Sequence, residues 1–206
     1  MHSRVLMRSL ALVTVVVVGV GGLTPTMPAD ARTDPAFEVV FPQEASPTQF
    51  QDTYGQSRSG GRSHKGTDLL APRMTEVYAA AAGVVVYVGT NNLSGRNLRI
   101  AHGGDWESHY VHLNNDTPGT DDGQAPWTLT VAPGIGEGTR VEAGQLIAWV
   151  GDSGNAESTT PHTHFELRHD GTSINAYPLL IVAFEQALEA EEAFRHLGGA
   201  PDYEIE

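Results

Sequence analysis

At 206 residues and 40% apolar content, the chain has room for one ordinary domain with a real core and short appendages. The absence of cysteine excludes disulfides, thiol nucleophiles and cysteine metal sites, so any metal must be held by histidine and carboxylates. The formal net charge of −13 excludes nucleic acid as a natural partner.

The N-terminus reads as a targeting segment. Arg4 and Arg8 supply a positive start, Leu10 to Leu23 is an uncharged apolar run, and Ala29-Asp30-Ala31 fits a small-x-small cleavage pattern. We therefore expect a signal peptide over residues 1–31, cut after Ala31. The run falls short of the roughly 20 apolar residues a membrane span needs, so no stable span is expected once it is removed. Removal takes two arginines and one aspartate, moving the net charge from −13 to −14.

Residues 32–63 read as an extended lead-in ending in a Pro, Gly, Ser and Arg-rich stretch. From 64 to about 180 the text reads as short strands: Thr75–Ala81, Gly83–Gly89, Asn97–His102, Ser108–Leu113, Gln145–Val150 and Thr163–His169. Gly103-Gly104-Asp105 and Asp170-Gly171 mark hairpin turns. Residues 114–137 are an insertion rich in Asp, Gly, Pro and Thr, placed to form a wall or lid; its Asp116, Asp121 and Asp122 lack clear calcium-loop spacing. Pro178 and the apolar spacing of Leu180, Ala183, Phe184, Ala187 and Leu188 predict a helix over 178–197, with Glu185, Glu189, Glu191 and Glu192 mainly on its wet side. The fold class expected is all-β: an antiparallel sandwich or open barrel-like core of short strands over 64–180, with a C-terminal helix and tail over 181–206.

Two histidine groups carry the chemistry. In His64-Lys65-Gly66-Thr67-Asp68, residues i and i+4 share a face of an extended segment, so an imidazole and a carboxylate point the same way. Alone, this spacing recurs by chance on surfaces. In Pro161-His162-Thr163-His164-Phe165-Glu166, strand alternation puts His162, His164 and Glu166 on one face and Thr163, Phe165 and Leu167 on the core face. Two neighbouring imidazoles cannot readily both charge, and a metal or a proton-transfer role relieves that. In Ser108-His109-Tyr110-Val111-His112-Leu113, alternation pairs Tyr110 with His112, where the phenol is either an extra donor or a packed aromatic. His102, His109, His169 and His196 read as structural or surface residues, with His102 near enough to a turn to line a groove.

These pieces, taken in order with Tyr110-x-His112-Leu113 between them, resemble the lysostaphin/LytM-type zinc metalloendopeptidases of bacterial cell walls, which have a duplicated hybrid motif fold. Tyr54-Gly55, Gly60-Gly61-Arg62-Ser63 and Ala71-Pro72 are similar to that family's entry to the metal site, and Gly138 to Gly151 resembles its hairpin before the second histidine group. The similarity runs over residues 41–180. The resemblance implies one zinc per chain held by His64, Asp68 and His164, and two free histidines, His112 and His162, beside the reacting water. It implies hydrolysis of peptide stems or cross-bridges of peptidoglycan, outside the cytoplasm, by a monomer. Two positions depart from the family's habit: Thr163 replaces an apolar residue, putting a hydroxyl towards the core, and Met74 stands where a small residue is usual. Relatives that have lost ligands act as activators of other wall hydrolases; here all five residues are present. A biotinyl or lipoyl carrier, which the Gly138–Gly151 hairpin also resembles, needs a lysine at a hairpin turn. Lys65, the only lysine, lies inside the His64–Asp68 group.

Overall fold

The computed structural model describes residues 37–197. The expected leader and residues 198–206 lie outside the described residues. Eleven strands and one long helix follow in order: β1 Ser57–Arg58, β2 Arg62–Ser63, β3 Thr67–Leu70, β4 Glu76–Tyr78, β5 Gly83–Asn91, β6 Gly95–Ala101, β7 Trp106–Leu113, β8 Arg140–Val141, β9 Leu146–Trp149, β10 His162–His169, β11 Thr172–Ile174 and α1 Tyr177–His196. The architecture is antiparallel throughout, as expected. A seven-stranded sheet runs β11-β10-β7-β6-β5-β8, with β3 also on β10, while β4 and β9 form a second, two-stranded sheet. No helix of the described residues is long and apolar enough to cross a membrane.

β10 organises the sheet. One of its edges pairs with β7, from His164↔Val111 to His169↔Trp106. The other edge pairs first with β3, where His164 faces Asp68, and then with β11. The β10–β11 turn is Asp170-Gly171, both with positive φ, the type I′ geometry that a two-residue hairpin needs. Alternation on β10 works as read: Phe165 and Leu167 are fully buried, and the Phe165 ring meets Tyr110 edge-on at 5.5 Å. Leu69, Val77, Val85, Leu98, Ile100 and Ile147 complete this core.

The segment before β1 does more than lead in. Val40 donates to the Ala80 carbonyl, and Gln43 and Gln49 form bridges to Val77 and Leu70. Phe41 and Phe50 pack against Phe184 of α1 at 4.9 and 5.2 Å. α1 matches the predicted span within a residue, and Asn175 accepts from its first N–H at 3.0 Å. One of its glutamates departs from the expected wet face. Glu191 accepts from the backbone N–H groups of Ala45 and Ser46 at 2.8 and 3.1 Å, locking the helix to this segment.

Residues 114–137 are neither wall nor lid: none of them lines the groove described below. The segment folds against the sheet instead. Asn114 donates to the Leu129 carbonyl and Thr130 to the Asn114 carbonyl, both at 2.8 Å. Arg96 reaches Thr130 and the Ala125 carbonyl, with its guanidinium over Trp127. Met74 adopts φ 70°, a left-handed backbone that suits the smaller residue usual there.

Candidate active site

A groove of about 1100 Å³ crosses the sheet. One wall comes from residues 51–65 and the other from 93–94 and 155–160, with β3, β6, β7 and β10 as its floor. His64, Asp68, His112, His162 and His164 all line it, so the structure brings the five sequence-predicted residues together.

Three donor atoms converge. His64 Nε2 is 3.0 Å from Asp68 Oδ1 and 2.9 Å from His164 Nδ1, and His164 Nδ1 is 2.9 Å from the same carboxylate oxygen. The remaining polar atoms explain why this set suits a cation. His64 Nδ1 lies 3.0 Å from both the carbonyl and the hydroxyl of Thr53; a carbonyl can only accept, so a proton on Nδ1 satisfies it and leaves Nε2 a lone pair. Arg58 donates to Asp68 Oδ2 at 2.7 Å, leaving Oδ1 to face the histidines. Lone pairs thus point at one another and need a positive charge between them. Their spacing is close to the roughly 3.3 Å that separates donors around a tetrahedral zinc. Burial works against the charged form of Asp68, yet positive charge at this convergence, whether a proton shared with His164 or His64 or a cation in its place, holds the carboxyl well below its usual range.

Gly66 lies between the first two donors because nothing larger fits. A Cβ there would stand 2.2 Å from the Phe165 carbonyl and 2.9 Å from the His164 ring. The family-like His-x-Gly step therefore lets the 64–68 segment press against β10.

The free histidines are held by backbone carbonyls. His112 Nδ1 bonds the Ser153 carbonyl and His162 Nδ1 the Thr160 carbonyl, each at 2.8 Å, contacts that favour the Nδ1–H tautomer and so leave Nε2 open on each ring. Their rings meet edge-on at 5.0 Å, and His162 Nε2 stands 3.9 Å from Asp68 Oδ1. Burial, with His162 nearby, pushes His112 down to about 4. Alternation mispaired His112. Its φ of 63° is left-handed, a strained conformation for histidine, and it breaks the strand's period. His112 thereby joins Val111 and His109 on the groove side, while Tyr110 turns into the core. The Tyr110 hydroxyl accepts from the Ala80 N–H at 2.7 Å and serves no site role. His109, which reads in the sequence as a structural or surface residue, lines the groove and bonds Glu107. His102 bonds the Ala82 carbonyl and Ser108 and stays out of the groove.

The chain matches the model of peptidase family M23 over residues 62–125 and 128–176. It is a member of that family. Among its relatives, the uncharacterized lipoprotein YgeR of Escherichia coli K12 is 37% identical over 114 residues, 54% of this chain and 37% of YgeR. The DD-carboxypeptidase/endopeptidase Mpg of Neisseria meningitidis is 31% identical over 133 residues, 65% of this chain and 26% of Mpg. The chain thus spans between a quarter and two-fifths of the length of these relatives. The solved catalytic domain of the antimicrobial peptidase lysostaphin from Staphylococcus simulans aligns with a TM-score of 0.50 at 26% identity, over 65% of this chain and 92% of that domain. The M23 match covers the groove floor and all five histidine and aspartate positions.

Sequence reasoning passed over the residues that aim the site. Thr53, Ser153 and Thr160 act through main-chain carbonyls, which carry no side-chain signature. Arg58 lies ten residues before Asp68 in a glycine-rich turn, and only the β1–β2 hairpin brings it over.

Proposed function

We propose that this M23 chain is an exported, zinc-dependent endopeptidase that hydrolyses peptide bonds of bacterial peptidoglycan. His64, Asp68 and His164 hold one zinc, and His112 and His162 handle protons. The observation that carries the reading is the convergence of three bare donor atoms beside two imidazoles whose Nδ1 atoms are tied and whose Nε2 atoms are open. When bound, the ion supplies Lewis acidity, bringing the pKa of a water towards about 7 and polarising the scissile carbonyl.

The chain's own groups do the rest. His112, low in pKa, is neutral at neutral pH and can accept a proton on Nε2; His162 presents the same open atom. An imidazole that has taken the water's proton becomes a cationic donor. It can then stabilise the tetrahedral oxyanion or pass the proton to the leaving amine. Thr53 and Arg58 keep the ligands aimed while this happens.

The test measures zinc content and cleavage of defined wall fragments by mass spectrometry. Asp68→Ala should lose both. His112→Gly, which suits the left-handed backbone, should retain zinc while cleavage falls by about 10²–10⁴-fold. Zinc stoichiometry near zero in the wild type, with fragments bound but uncut, would instead make the protein a wall-binding or activating relative. Full activity in His112→Gly would remove the role given to that residue.

A further inference from the structure

The groove is cationic in an acidic protein. Two of its three carboxylates face arginines, Asp68 with Arg58 and Glu166 with Arg168, while Glu107 bonds His109, whose burial favours the neutral ring, and so keeps its charge. Arg62, Lys65 and Arg99 also line it, and none has a carboxylate within 4.0 Å among the described residues. Five cationic side chains, Arg58, Arg62, Lys65, Arg99 and Arg168, against three carboxylates leave this groove a surplus of two positive charges in a chain whose formal charge is −13. A groove with a surplus of one sign concentrates ligands of the other sign.

Arg99 is the best placed of the three. It stands on the floor, in β6, directly opposite His109 of β7, which in turn faces Glu166 of β10. Its guanidinium carbon lies 4.8 Å from the centre of the Tyr87 ring, which fixes the plane while leaving the cation without a counter-charge. Its buried Nε has no hydrogen-bond partner. Arg62, by contrast, sits in an exposed turn and bonds Ser59. From the two-residue and two-strand offset, the Arg99 backbone is about 12 Å from that of His164. An extended peptide covers that distance in three to four residues.

We infer that the groove selects anionic peptides, with Arg99 binding a substrate carboxylate a few residues from the scissile bond, and that neutral glycine bridges are poor substrates. This rests on the peptidase reading of the same groove. A planar guanidinium held by stacking matches a carboxylate with two parallel N–H donors, which a neutral amide cannot replace.

The test uses the full zinc-loaded chain with three probes: a stem peptide with free carboxylates, the same peptide with every carboxylate amidated, and end-blocked pentaglycine. The wild type should show a KM about tenfold lower for the free-carboxylate peptide than for the amidated one, with similar kcat. Pentaglycine should be the poorest probe. Arg99→Gln should raise KM about tenfold for the free-carboxylate peptide alone, and Arg99→Lys should restore part of it. Equal cleavage of free and amidated peptides, or a loss in Arg99→Gln that ignores the carboxylate, overturns the inference. Calorimetric binding of the same peptides separates the two readings. If nothing is cleaved yet binding keeps the Arg99-dependent preference, the peptidase reading fails and this one stands. Binding without that preference ends it.

Discussion

Two clusters among the described residues bring three metal-type donor groups within 4.8 Å of one another, and they are built on opposite principles. In the first, His64, Asp68 and His164 face each other across bare donor atoms, while the positive group nearby, Arg58, is spent on the far oxygen of Asp68. In the second, Asp116 and Asp121 lie beside Glu157, but Arg73 is already among them. Its Nε is 3.1 Å from Asp116, and its Nη2 is 2.8 Å from Asp121 and 2.5 Å from Asp152. Hydrogen bonding to Asp152 holds the Arg73 guanidinium even more firmly protonated than usual. The lesson is that proximity of acidic groups does not make a metal site. What matters is whether one of the protein's own cations already sits among them. The second cluster pins the insertion, through Asp116, to the core; the first is left needing a cation.

Removing Arg73 should break this contrast most severely. Asp116 and Asp152 have side chains 2% and 0% exposed, and Arg73→Met would leave them buried without a counter-charge. We expect a loss of about 3–5 kcal/mol in denaturant unfolding, with zinc stoichiometry unchanged. A loss below about 1 kcal/mol, the scale of an exposed ion pair, would mean that Arg73 does not neutralise the cluster.

Arg58→Ala tests the other side. It should leave stability nearly unchanged but weaken zinc about 10–100-fold in a chelator competition, because Asp68 would lose the contact that aims Oδ1. Unchanged zinc affinity would make Arg58 a bystander.

The smallest effect expected lies between the clusters, in the core behind β10. Thr163 is fully buried and its hydroxyl has no partner among the described residues, so the hydroxyl facing the core goes unsatisfied. Thr163→Val should stabilise by about 1 kcal/mol with zinc content unaltered. Destabilisation would mean that the Thr163 hydroxyl is hydrogen-bonded in solution.

Much of the site was legible because residue type and spacing already encode it. Two imidazoles two apart on a strand must share a face, whereas His64 and Asp68 meet across a bend at Gly66 rather than along one extended segment. The aim of His112 was not legible, since one left-handed residue undoes alternation and leaves no mark in composition. Glu191 was read as solvated because helical periodicity knows nothing of the Ala45–Ser46 loop that meets it. Arg99 and His109 looked like ordinary strand residues until cross-strand register set them in one row. For the fold, hairpins announced themselves through Gly103-Gly104 and Asp170-Gly171, whereas β3 on β10 is a pairing between distant segments that no local signal reports.

That pairing has a consequence for timing. His164 and Asp68 are 96 residues apart in sequence, and His164 and His64 are 100 apart. Such distant closures are slow, on a scale of about milliseconds to seconds for β-rich domains. The third donor joins the other two only when that pairing forms, so a chain in which β3 and β10 are apart holds at most two of the three. An ion that recognises all three donors binds the closed sheet alone and stabilises it in proportion to its free concentration. Metal scarcity would therefore be felt first as a loosened seam between β3 and β10.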